Sequence, residues 1–315
     1  MASLKSEQMW CTEEIPLTGW LERQRFSPVF TALMVSLGVF VLFQLVSSIF
    51  AIVLLLFSVP LEALGEHLDM LASGEFASQL LLANSLGQIV GMALPVWWIT
   101  RLHTPCRSAF LRLRRPSGAL LGWSILGLIV LMPFVQWLAS VNAALPLPEG
   151  LRTFDRMQME MIEQVLKGLS GTHILYALLV LAVVPAFCEE LLFRGYVQRQ
   201  FERGLGIAGA ILLTGVLFGI YHLRFTQVIP LAFIGVYLAY ITWRTESLWP
   251  AIVNHFLNNS FAVFLALYAE QHPDLSIEDL ETLSVPWYIV LLSVALGLVV
   301  IRQLHQRSLS IQPGD

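Results

Sequence analysis

Eight apolar stretches alternate with polar segments along the chain, at about residues 29–58, 78–100, 118–141, 172–190, 206–223, 226–243, 247–268 and 285–303. A bilayer core takes about 20 apolar residues of helix, so each stretch predicts a membrane span. The first is long enough to tilt or to extend past the bilayer. The fourth continues as helix to about Arg203. Between the third and fourth, Arg152 to Leu169 is amphipathic. Met157, Met161, Ile162, Val165, Leu166 and Leu169 recur at helical spacing with charges between them. That predicts a helix lying at the membrane interface beside span four, either a plain surface helix or a lid or substrate guide. There is no internal repeat and no low-complexity linker. The expected fold is all-α, a polytopic membrane helix bundle of about eight transmembrane helices. Residues 29–303 form a single transmembrane domain between a tail at 1–28 and a short tail at 304–315.

Composition strengthens this reading. The chain is 57% hydrophobic and 13% charged, with mean hydropathy +0.72, where soluble domains are nearer half apolar and a quarter charged. A net charge of −4 points to no nucleic-acid partner. Cys11, Cys106 and Cys188 are scattered, which suits neither a disulfide framework nor a structural zinc site. The first 27 residues lack a signal-peptide pattern. If eight helices alternate, fourteen of the 18 lysines and arginines fall on one side. These are Lys5, Arg23, Arg25, Arg101, Arg107, Arg112, Arg114, Arg115, Arg194, Arg199, Arg203, Arg244, Arg302 and Arg307. Only Arg152, Arg156, Lys167 and Arg224 fall on the other, which also takes the acidic loops around Glu62–Glu75 and Asp274–Glu281. The positive-inside bias places both termini in the cytoplasm of a multi-pass protein of the plasma (inner) membrane.

The chemistry concentrates in Val184–Arg203, VPAFCEELLFRGYVQRQFER. Ionisable groups at membrane depth are expensive, and so mark candidate sites. Taken alone, Glu189 and Glu190 read equally well as the place where a helix leaves the bilayer, and His222 and His255 as core or interfacial histidines. Together they suggest more. Residues four apart share a helix face, so Glu190 and Arg194 can pair and leave Glu189 aimed elsewhere, as a general base needs to be. Phe218 and His222 are four apart, as are His255 and Asn259. Measured from a turn near Gly204, Glu189 and His222 lie at similar depths of ~21 and ~24 Å, with His255 shallower at ~12 Å. A glutamate and a histidine can orient and deprotonate a water, while a second histidine and an asparagine stabilise an oxyanion. Glu189, His222 and His255 also make a zinc-ligand set with an open position. HExxH is absent, so no known ligand pattern calls for a metal.

EELLFR at 189–194 resembles the EExxxR motif of the CPBP family, the CAAX-protease and bacteriocin-processing group of intramembrane proteases. FGIYH at 218–222 resembles that family's FxxxH motif, and HFLNN at 255–259 its HxxxN/D motif. All three occur in the family's order, each on its own expected helix, and the likeness covers about residues 150–268. The resemblance implies an endopeptidase. Glu189 and His222 would activate water, His255 and Asn259 stabilise the oxyanion, and Glu190 and Arg194 support the site. The implied partner is a membrane-associated or lipidated protein or peptide, cut in CAAX-type or leader-peptide processing. Two other readings stand beside it: a non-catalytic immunity or scaffold protein of the same fold, and a transporter with a buried polar site. Gly168-Leu169-Ser170-Gly171 matches a rhomboid-type GxSG, but its place at the mouth of span four reads as a turn.

Overall fold

A computed structural model describes residues 15–58, 76–167, 174–270, 272 and 283–310. The described residues are helical, with no strand. Seven stretches are long and apolar enough to cross a membrane: Pro28–Phe57, Ala77–Thr100, Gly118–Ala143, Ile174–Tyr221, Val228–Thr245, Trp249–Ala269 and Trp287–Leu309. The fourth holds two of the eight expected spans, divided at Gly206. Its φ of +74° is open to glycine and strained for other residues. Phe193 and Phe218 lie 13 and 12 residues on either side of it, and their rings meet at 5.3 Å. A straight helix would hold them ~37 Å apart, so the chain reverses there.

The helices are therefore α1 (Pro28–Ser58), α2 (Ala77–Thr100), α3 (Gly118–Ala143), α4 (Glu149–Lys167), α5 (174–205), α6 (207–221), α7 (Val228–Thr245), α8 (Trp249–Glu270) and α9 (Trp287–Ser310). All except α4 correspond to expected spans. The GxSG segment, most of the acidic loops, Cys11 and both chain ends lie outside the described residues.

α5 is the axis of the bundle. From Leu191 to Val197 every residue is buried, and Phe193, Tyr196, Val197 and Phe201 are fully enclosed. α1 instead turns Leu37, Leu45, Ile49 and Phe57 outward, as a lipid-facing helix must. α6 and α7 cross backbone to backbone, since a Cβ on Gly235 would lie 2.8 Å from the Gly215 Cα. Small residues at such crossings let helices approach closely in lipid.

Two prolines shape the helices further. Pro95 and Pro185 each follow a π-helical turn, at Ile89–Ala93 and Leu179–Val183. A proline within a helix lacks its N–H and crowds the carbonyl four residues back, and a wider turn relieves that crowding. A second π turn in α5, at Leu191–Val197, follows the glutamate pair directly.

At the Gly206 end, charged groups lace the connections together. Arg112 donates to Glu202 (2.6 Å) and Glu246 (3.1 Å), and Arg199 to the carbonyls of Phe110 and Ala109. Glu22 accepts from Arg203 (2.9 and 2.7 Å) and bonds His103 (2.6 Å), whose other ring nitrogen bonds the Tyr196 hydroxyl (2.7 Å).

α4 departs from expectation in which face it buries. The sequence puts Met157 on its apolar stripe, yet Met157 is 63% exposed and Phe154 also faces out, while Asp155 is buried. In a membrane the outside is apolar too, so an interfacial helix can turn its polar side to the protein. The rest of the stripe, from Met161 onward, lies outside the residues whose side chains are described.

Candidate active site

Glu189 and Glu190 end the α-helical turn that follows Pro185, one step before the π turn. Adjacent helical residues point about 100° apart, and the two carboxylates diverge accordingly. Glu190 is fully buried and its Oε1 accepts from Arg194 Nη1 at 2.6 Å. Arg194 is equally buried, gives Nη2 to the Gly235 carbonyl at 2.9 Å, and stacks its guanidinium 4.4 Å above the Phe218 ring. The expected pair along the helix is present, with a third and a fourth partner that spacing alone does not reveal. Glu190 Oε1 also meets His255 Nδ1 at 2.8 Å.

Glu189 faces the other way. Its Oε2 is buried and has no hydrogen-bond partner among the described residues. It lies 3.7 Å from His222 Nε2 and 4.0 Å from His255 Nε2. Glu189 and His222 thus meet at one level, as the depth reckoning expects, and the shallower figure for His255 does not keep it away. Each histidine's Nδ1 is already engaged. His222 Nδ1 lies 2.8 Å from the Phe218 carbonyl, which can only accept, so that nitrogen carries the hydrogen. His255 Nδ1 faces the Glu190 carboxylate and donates in the same way. In their neutral forms, both histidines then present Nε2 lone pairs to a carboxylate oxygen. Three acceptors converging on one point require something positive or hydrogen-donating between them: a proton, a water or a metal ion.

Phe218 proves more than a motif letter. It is buried, and its ring meets those of His222 (4.6 Å) and His255 (5.5 Å) as well as Arg194. It forms the apolar floor on which the charged groups sit. Asn259 has a partner that its expected use did not include. Its Nδ2 donates to the Leu181 carbonyl at 3.2 Å, the group four residues before Pro185 that the proline cannot satisfy. Membrane helices tolerate proline where a neighbouring side chain completes the backbone in this way. Asn259 therefore ties α8 to α5 at this point, one turn along from His255.

Residues 171–261 match the family model described as type II CAAX prenyl endopeptidase Rce1-like. All six candidate residues fall within it. The matched stretch is the one whose motifs resemble the CPBP family. Among curated proteins, it is 27% identical over 90 residues to "Putative membrane peptidase YdiL" of Bacillus subtilis (strain 168). That likeness covers 29% of this chain and 37% of the relative, so the two share about a third of the relative's length. No solved structure matches. The family-model match begins just before α5 and ends within α8, so α1 to α4 and α9 lie outside it.

For zinc, the donor set fits in kind: one carboxylate oxygen and two imidazole nitrogens oriented through their second nitrogens. It does not fit in spacing. Zinc bonded tetrahedrally at its usual ~2.1 Å would put its ligands about 3.4 Å apart, closer than the 3.7 and 4.0 Å observed. Among the described residues, no group of three histidine, cysteine or acidic side chains is gathered to hold a metal.

Proposed function

We propose that this protein is an intramembrane endopeptidase that hydrolyses a peptide bond of a membrane-associated or lipidated protein or peptide. One observation carries the proposal: the unpartnered, buried Oε2 of Glu189 facing two histidine Nε2 atoms at 3.7 and 4.0 Å. Those distances are too long for direct hydrogen bonds and suit a bridging water. Glu189 takes a proton from that water, His222 orients it, and its oxygen adds to the scissile carbonyl carbon. The tetrahedral intermediate collapses with the C–N bond breaking, and the proton held by Glu189 passes to the leaving amine. A His255 protonated on both nitrogens gives Nδ1–H to Glu190 and Nε2–H to the developing oxyanion. Glu190 and Arg194 keep that imidazole in place. No step runs through a metal. The family model supports CAAX-type substrates as a class, and the arginine distribution supports cytoplasmic termini.

The test needs no known substrate. Wild type and Glu189→Ala are expressed to equal levels in a null strain, and protein termini are compared across the membrane proteome. New termini seen only with wild type are expected, and they name the substrates. Matching profiles, with Glu189→Ala still rescuing any phenotype of the null strain, would replace the peptidase reading with the scaffold or immunity reading.

A further inference from the structure

We propose that Asp155 is a positioning residue for His222, holding it in register with Glu189 through the loop that joins α6 to α7. The inference rests on the catalytic reading of His222 given above. His222 caps the C-terminus of α6. The next residue, Leu223, has φ of +52°, a left-handed conformation that a leucine keeps only where its surroundings enforce it.

Those surroundings belong to α3 and α4. Asp155 is 5% exposed, and both of its oxygens are committed to this loop. Oδ1 accepts the Phe225 N–H at 3.1 Å and Oδ2 the Thr226 N–H at 2.6 Å. Gln158, one turn on, donates to the Leu223 carbonyl at 3.4 Å. From α3, the Asn142 amide donates to the Phe225 carbonyl (3.0 Å) and accepts the Ile229 N–H (2.7 Å). A buried carboxylate satisfied by two backbone N–H groups makes charge-assisted hydrogen bonds, stronger than neutral ones. It fixes the backbone immediately after His222. The ring of His222 is tied back to Phe218 while its backbone passes straight into this loop, so helix end and loop together set its distance to Glu189. Displacements of about 1 Å in a catalytic geometry reduce rates on the order of a hundredfold.

Sequence carries a faint sign of this role. Asp155 shares a helix face with Leu151 and Met159, where an acid has no place on a plain amphipathic surface helix. α4 also packs against α2 and against α8, the helix that carries His255. It thus braces both histidine-bearing segments, and Asp155 is its polar attachment to the first.

The experiment uses full-length protein in nanodiscs and reads two quantities. Amide hydrogen exchange is followed at residues 222–229. Turnover is followed with an internally quenched peptide ending in a farnesylated Cys-aliphatic-aliphatic-X sequence. Asp155→Ala is expected to speed exchange at 222–229 at least tenfold and leave α1 unchanged. It is also expected to lower kcat about tenfold with KM within twofold. Asp155→Glu, which keeps the carboxylate, recovers part of both losses. Arg156→Ala, an exposed change on the same helix, matches wild type. If Asp155→Ala does not fold, Asp155→Asn is read in its place, since it keeps the volume and one acceptor. Unchanged exchange at 222–229 overturns the proposal, and so does faster exchange with unchanged kcat. A wild type that cleaves no peptide and yields no new termini in cells defeats the peptidase reading separately, and the exchange result still decides whether Asp155 holds the loop.

Discussion

Glu189 and Glu190 are chain neighbours in one buried turn, yet their surroundings assign them opposite parts. Glu190 shares one oxygen between Arg194 and His255, while Glu189 Oε2 has no hydrogen-bond partner among the described residues. Glu189→Gln is expected to cut proteolysis at least a hundredfold with thermal stability close to wild type, because Glu189 Oε2 makes no hydrogen bond among the described residues that the change would break. A variant that lost both activity and its melting transition would contradict that assignment. Arg194→Ala should behave oppositely. It strands the Glu190 carboxylate in an apolar interior, a change of about 3–5 kcal/mol that a thermal melt in detergent would register. The charge swap Glu190→Arg with Arg194→Glu is not expected to restore stability, because a carboxylate at 194 would face the Gly235 carbonyl now bonded by Arg194. At this scale the sequence was informative about identities and helix spacing. The bond from His255 to Glu190 and the capture of Asn259 by the Leu181 carbonyl were not legible, since both depend on contacts between helices.

The spans were readable at the level of elements because a bilayer demands length and apolarity, and both are written in the residue order. Departures from regular helix were signposted as well, by Pro95 and Pro185, but a proline does not say whether its helix kinks, breaks or widens. The faces of α4 could not be assigned from periodicity, because lipid and protein core are both apolar. Where α6 crosses α7, Gly235→Ala should be destabilising by about 1–3 kcal/mol, since the new methyl would meet Gly215 backbone at 2.8 Å. A melting temperature within a degree of wild type would show that the crossing is looser than described. Because the Gly235 carbonyl also binds Arg194, the same variant should lower turnover.

Across the whole molecule, the Glu22–His103–Arg203 cluster joins the residues before α1, the end of α2 and the end of α5. Burial would raise the Glu22 carboxyl, but its bonds to Arg203 and His103 outweigh that and hold it below its ordinary range. Burial also lowers His103, by more than Glu22 raises it. With both values depressed in the folded state, the unfolded chain binds more protons as pH falls, so acid destabilises the fold. The contribution from His103 is intact above its ordinary value of 6.5 and is lost as pH drops through its lower folded value. That from Glu22 follows at lower pH, below 4.5. Thermal melts between pH 7.5 and 5 should show a falling transition temperature, with a shallower slope in His103→Gln; equal slopes would remove His103 as the cause. Exhaustive dialysis against a chelator at neutral pH is expected to leave proteolysis intact, because the 3.7 and 4.0 Å separations suit water better than zinc. Loss of activity restored by zinc would reverse that conclusion.

The lacing at the Gly206 end also bears on how the protein enters its membrane. Arg112, Arg114, Arg199, Arg203 and Arg244 are among the cations that set the expected topology, and each is also bonded to another part of the folded chain. The positive-inside rule gives such cations the part of retention signals in an unfolded nascent chain; in the folded chain the same guanidiniums act as fasteners. Neutralising them to invert the protein in the bilayer would therefore dismantle it too, so orientation and assembly cannot be altered independently at these positions.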